Sequence, residues 1–220
     1  MLSYSEVMLA IGENEVKFES NGKNEIFFVD GAETVLSLLQ KEALTAASAH
    51  FIESFRIKTE VDVYVSKRSV LHLIGNKDRA LAWHIPPSFD RENSIVCVFI
   101  DPESDLKSNI TSLAHEFIHA WQVERGDLHG MTWAGYDCEQ IPYQYLPWEY
   151  EAHTHMQSVA EYFFRDDLPT SVELRNITSA TAKYTEELKN AVNATRVKKS
   201  FKTVAKLAAG VGLAALMGGL

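Results

Sequence analysis

Apolar and polar positions alternate through residues 5–30, where Val16 and Phe18 lead into Asn21-Gly22 and Ile26 and Phe28 return. Asn-Gly between alternating segments is a strong hairpin signal, because both residues tolerate positive φ, and it predicts a small N-terminal β-meander over residues 1–31. The period then changes to helical. Val35, Leu38, Leu39, Ala46, Ala49 and Phe55 supply one face of a helix spanning about 32–55. Val61, Val63 and Val65 alternate with polar residues as a strand, and residues 80–85 and 95–100 read as two further extended segments separated by Pro86-Pro87.

A second helix is predicted from about Asp105 to Arg125, with Ile110, Leu113, Ala114, Phe117 and Trp121 at core spacing and Gly126 as its stop. A loop rich in Gly, Tyr, Trp and acidic residues follows to Leu146. Pro147 suits the first position of a third helix running to about Arg165. Thr170-Ser-Val-Glu173 fits a capping box for a fourth, lined by Leu174, Ile177, Tyr184, Leu188 and Val192. Strands come first and helices later, so the fold class is α+β, with helices segregated against a small mixed sheet.

Composition narrows the function classes. The 220 residues are 46% hydrophobic and 23% charged, an ordinary globular balance. The net charge of −9 is uneven: from Arg196 onward there are five cations and no acid, so residues 1–195 hold 16 basic against 30 acidic residues, or −14. An acidic body argues against nucleic acid as a partner, since backbone binding needs a basic face. Two cysteines, Cys97 and Cys138, are too few for a disulfide framework or a cysteine zinc site. Met1-Leu-Ser-Tyr-Ser-Glu lacks the basic and apolar regions of a signal peptide, so a cytoplasmic location is expected. Residues 196–220 form a basic then apolar tail. Its fourteen uncharged residues after Lys206 are too short for a stable span and suit self-association or contact with a membrane surface.

The chemistry concentrates in His115-Glu116-Phe117-Ile118-His119. Histidines four apart on a helix point the same way, so both imidazoles can bind one zinc ion with Glu116 beside a water on it. A catalytic zinc takes three protein ligands. With no His at the tighter downstream spacing, the usual third is a carboxylate on a second helix, and Pro147-Trp-Glu-Tyr-Glu-Ala-His-Thr-His155 offers Glu149 and Glu151. Tyr136, Tyr143, Tyr145 and His129 form the pool of donors for a developing oxyanion, with Tyr143 the named candidate. His153 and His155, two apart, point away from each other on a helix, which predicts solvent exposure or a supporting role.

His-Glu-Phe-Ile-His followed thirty residues later by Glu149-Tyr-Glu-Ala-His153 resembles the gluzincin zinc metallopeptidases, especially small intracellular and bacteriophage-encoded ones. The resemblance covers about Ala80 to Arg165 and implies a zincin-like metallopeptidase domain over 32–195. It implies His115, His119 and Glu149 as zinc ligands, Glu116 as general base, and Ala152 as the small residue packed toward the motif helix. His153 stands where relatives place Asp or Asn to support a ligand histidine, and Arg79–His84 matches the strand that lies beside an extended peptide. The expected activity is zinc-dependent endopeptidase action on protein or peptide substrates. The rival classes are a structural or assembly protein of phage type that retains the fold without catalysis, and a regulatory peptidase specific to one partner.

Overall fold

The run Val61-Asp-Val-Tyr-Val65 is buried at Val61, Val63, Tyr64 and Val65, with alternate side chains on both faces, as expected of a strand covered on each side. A computed structural model describes residues 16–20, 24–28, 36–67, 82–85, 94–100 and 105–198. Five strands form one mixed sheet: β1 (Val16–Ser20), β2 (Asn24–Phe28), β3 (Val61–Lys67), β4 (Ala82–Ile85) and β5 (Ser94–Ile100). Their spatial order is β1-β2-β3-β5-β4. Strand β3 is parallel to β2 and β5, whereas β1 and β4 lie antiparallel at the two ends. The β1–β2 register, Ser20 opposite Asn24, closes the hairpin around the predicted turn, although Asn21-Gly22 itself lies outside the described residues. The N-terminal hairpin therefore continues into the same sheet as β3 through the parallel β2–β3 pairing.

Four helices accompany the strands among the described residues: α1 (Leu38–Phe55), α2 (Leu106–Glu124), α3 (Pro147–Phe164) and α4 (Ser171–Lys198). The resulting α+β architecture matches the expectation from element order. The chain divides into two compact units, one of residues up to Gly126 together with Met156–Leu168, the other of Asp127–His155 together with residues from Pro169 onward.

In the first unit, α1 packs on α2, and α2 packs on β4 and β5. Phe51 is fully buried, with ring centroids 5.7 Å from Phe117 and 6.3 Å from Phe163. Phe55 stacks on Trp121 at 4.9 Å, and the Arg125 guanidinium lies 4.1 Å over the same indole. Thr59 donates through its backbone N–H and its hydroxyl to Glu124 Oε2, tying the entry of β3 to the end of α2. The buried face of α1 keeps Phe55 of the predicted one and otherwise differs from it, with Val35 outside the described residues. Leu38 and Leu39 are 61% and 72% exposed and Ala46 is exposed, while Leu44, Ala47, Ser48, Phe51, Ser54 and Phe55 face inward. Ser48 can occupy that face because it satisfies its hydroxyl internally, donating to the Leu44 carbonyl, whereas the buried Ser54 hydroxyl has no hydrogen-bond partner.

The second unit replaces the predicted loop with a three-stranded sheet of β6 (Leu128–His129), β7 (Thr132–Trp133) and β8 (Tyr136–Asp137). Ala134 and Gly135, with φ of 46° and 77°, form the two-residue turn between β7 and β8, and left-handed backbone at both positions matches the twist of such hairpins. Trp133, Cys138, Ile141, Leu146 and Trp148 pack with Tyr184 and Leu188 of α4. Trp133 Nε1 donates to Thr185 Oγ1 and the Tyr184 hydroxyl donates to the Tyr145 carbonyl, so both polar atoms are satisfied inside this core. The Thr170–Glu173 capping box forms as predicted: Glu173 N–H donates to Thr170 Oγ1, and Thr170 donates from its backbone and hydroxyl to Glu173 Oε2. Helix α4 reaches Lys198, and the tail from 199 onward lies outside the described residues. Among the described residues, no helix is long and apolar enough to cross a membrane.

Candidate metal centre

Helix α2 is set in phase by Asp105, whose Oδ1 accepts the Ser108 N–H at 2.7 Å. From that cap the apolar positions Ile110, Leu113, Ala114, Phe117 and Trp121 turn into the core as predicted. His115, Glu116 and His119 are buried as well, at 8%, 5% and 7% exposure. Polar groups so far from water interact through a weakened dielectric screen.

The two motif histidines meet one helical turn apart. His115 Nε2 and His119 Nε2 are 3.1 Å apart, and the rings cross at 87°. Glu116 Oε1 lies 3.8 Å from His115 Nε2. One donor atom from each of the three side chains falls within 4.8 Å of the others. These groups could hold a metal ion. Ligand nitrogens at 2.0–2.1 Å from a tetrahedral ion stand about 3.4 Å from each other, close to the observed nitrogen separation. Imidazole nitrogen is a borderline-soft donor of the kind zinc takes, and Glu116 stands beside the pair. On the same helix Gln122, wholly buried, places Oε1 2.7 Å from His119 Nδ1.

The other candidate residues belong to the second unit. Glu149 sits in the first turn of α3 and is buried, with Oε2 3.8 Å from His153 Nε2 one turn later. Glu151 is fully buried, as is Ala152, and the half-buried His155 follows Glu151 one turn later. Burial pushes the His155 pKa below its usual value, and the Glu151 charge only partly opposes this. His153 is about half exposed, so the two histidines diverge as their spacing predicts. Tyr143 is 64% exposed in a 3-10 turn spanning Tyr143–Tyr145. Of the other donors in the predicted pool, Tyr136 lies beneath Lys189 Nζ at 5.5 Å, Tyr145 packs against the unit's core, and His129 is exposed.

The structure thus brings together His115, Glu116 and His119, and it buries Glu149 and Glu151 in the second unit. The His-x-x-Gln spacing of the sequence is the signal that places Gln122 one turn from His119. Compared with known protein families, curated proteins and solved structures, the chain matches none.

Proposed function

We propose that the protein is a zinc-dependent metalloendopeptidase of zincin-like fold that hydrolyses peptide bonds in protein or peptide substrates. The observation that carries this reading is the buried His115–His119 pair, with nitrogens 3.1 Å apart and Glu116 on the same turn. His115, His119 and Glu149 are the proposed zinc ligands. When bound, zinc lowers the pKa of a water toward neutrality and polarises the scissile carbonyl. Glu116 accepts the proton of the attacking water on a carboxylate oxygen and passes it to the departing amine. Tyr143, exposed at its turn, is the proposed hydroxyl donor to the carbonyl oxygen as negative charge develops there. Strand β4 suits a peptide substrate: among the described residues it ends the sheet on one side and packs against α2, and an extended chain could pair with its outer edge.

A second reading rests on burial. Side chains only 5% to 8% exposed also suit a closed structural zinc site in an assembly protein that performs no cleavage. Glu116→Gln separates the two. The peptidase keeps about one zinc per chain and loses cleavage of a denatured-protein substrate by 10²-fold or more. Wild-type protein that holds zinc but cleaves nothing in a peptide library supports the structural site. Protein that takes up no zinc defeats both. Loss of zinc in Glu149→Ala but not in Glu151→Ala identifies the third ligand, and the opposite pattern moves that role to Glu151.

A further inference from the structure

Gln122 bears on which nitrogen of His119 is able to meet a metal. Its Oε1 is a carbonyl oxygen and can only accept, so at 2.7 Å the hydrogen of this bond resides on His119 Nδ1. A neutral imidazole carries one N–H, and His119 Nε2 is therefore left with its lone pair. That is the atom directed at His115 Nε2, 3.1 Å away. We propose that Gln122 is a positioning residue that holds His119 in the Nδ1–H tautomer and so presents Nε2 as a ready metal donor; the role rests on the metal-site reading above.

Two further observations bear on the proposal. Gln122 is fully buried, where an unbonded amide would cost free energy that an apolar side chain of similar volume would avoid. The bond to His119 offsets that cost and sets the tautomer in the same step. The histidine contact then assigns the opposite tautomer to His115: because His119 Nε2 accepts, His115 Nε2 supplies the hydrogen between them. Metal binding through both Nε2 atoms requires a tautomer change at His115 alone, while His119 is already set.

Long-range proton–nitrogen correlation spectra of metal-free, ¹⁵N-labelled full-length protein read both tautomers directly. His119 is expected as Nδ1–H in the wild type and in Gln122→Glu, which keeps an acceptor, and as a mixture or Nε2–H in Gln122→Met. Zinc affinity from chelator competition is expected to fall 10- to 100-fold in Gln122→Met and to be retained in Gln122→Glu, as for partners that orient a ligand histidine. Melting curves of the metal-free variants separate this loss from general unfolding. If Gln122→Met does not fold, Gln122→Glu carries the test, and an Nε2–H tautomer or tenfold weaker zinc binding in that variant overturns the proposal. A zinc-binding wild type whose affinity and His119 tautomer are unchanged by Gln122→Met overturns the positioning role alone. A wild type with Nδ1–H at His119 and no zinc affinity overturns the metal site on which the role depends.

Discussion

His50 shows how one side chain can set a pH response away from the candidate metal site. Its ring meets Phe51 and Phe163 edge-on at 5.8 and 5.6 Å, and its buried Nε2 has no hydrogen-bond partner. Burial lowers its pKa below 6.5, and the charges of Glu53, Asp166 and Asp167 recover only part of the shift. The folded form therefore resists a proton that the unfolded chain accepts. Well above pH 6.5 both states are neutral and the residue contributes nothing; as pH falls toward and through 6.5 the unfolded chain binds the proton first, and stability declines until the folded value is passed. Urea unfolding midpoints should drop between about pH 7.5 and 5.5, and drop less in His50→Gln, whose side chain does not titrate. Equal pH slopes for the two proteins would remove His50 as a cause. Cys138 contrasts with it, for burial pushes its thiol up to about 11. Iodoacetamide at pH 8, with labelled peptides mapped by mass, should modify Cys138 only after denaturation. Rapid labelling of the folded protein would contradict that environment.

At the scale of elements, α1 and α2 show what pattern alone can and cannot convey. Helix α2 is legible because Asp105, its apolar spacing and Gly126 agree, and the same spacing places both motif histidines on one turn. Helix α1 turns a different face inward, since Ser48 and Ser54 occupy inward positions and Leu38 and Leu39 outward ones. Its start is marked by a capping box between Ser37 and Gln40, whereas its end is closed by Arg56 at φ 52°, with no glycine to announce it. Asp166, also left-handed at φ 53°, hides the end of α3 in the same way. The short strands β6, β7 and β8 escaped notice because two-residue strands carry too few positions to show a period. Gln122 needed the amide's orientation toward His119, which no spacing supplies. Phe51 tests the corrected face: removing its ring leaves a cavity between Phe117 and Phe163, so Phe51→Ala should lose about 3–5 kcal/mol, whereas Leu39→Ala should lose under about 0.5 kcal/mol. Chemical denaturation of both variants measures the difference, and equal losses would restore the predicted face.

For the whole molecule, metal binding and folding are coupled if zinc binds only the folded chain. A free zinc concentration 100 times the dissociation constant should then add about 2.7 kcal/mol, and a chelator should remove it, as a melting shift absent from His119→Ala. An unchanged melting curve on chelation of zinc-loaded protein would break that coupling. The division of the chain carries a different consequence, one of time. The first unit takes Met156–Leu168 from a later part of the sequence, and Phe163 in that segment contacts both Phe51 and His50. During synthesis the residues up to Gly126 must wait while the ribosome adds Asp127–His155 before this part of their core can close. At about 5–20 residues per second, that interval lasts a few seconds. Until the late segment emerges, the sides of His50 and Phe51 that meet Phe163 stay uncovered. Ribosome-stalled chains should become protease-resistant over α1 only once residue 168 has cleared the exit tunnel, and resistance at residue 126 would show that the early segment closes without it.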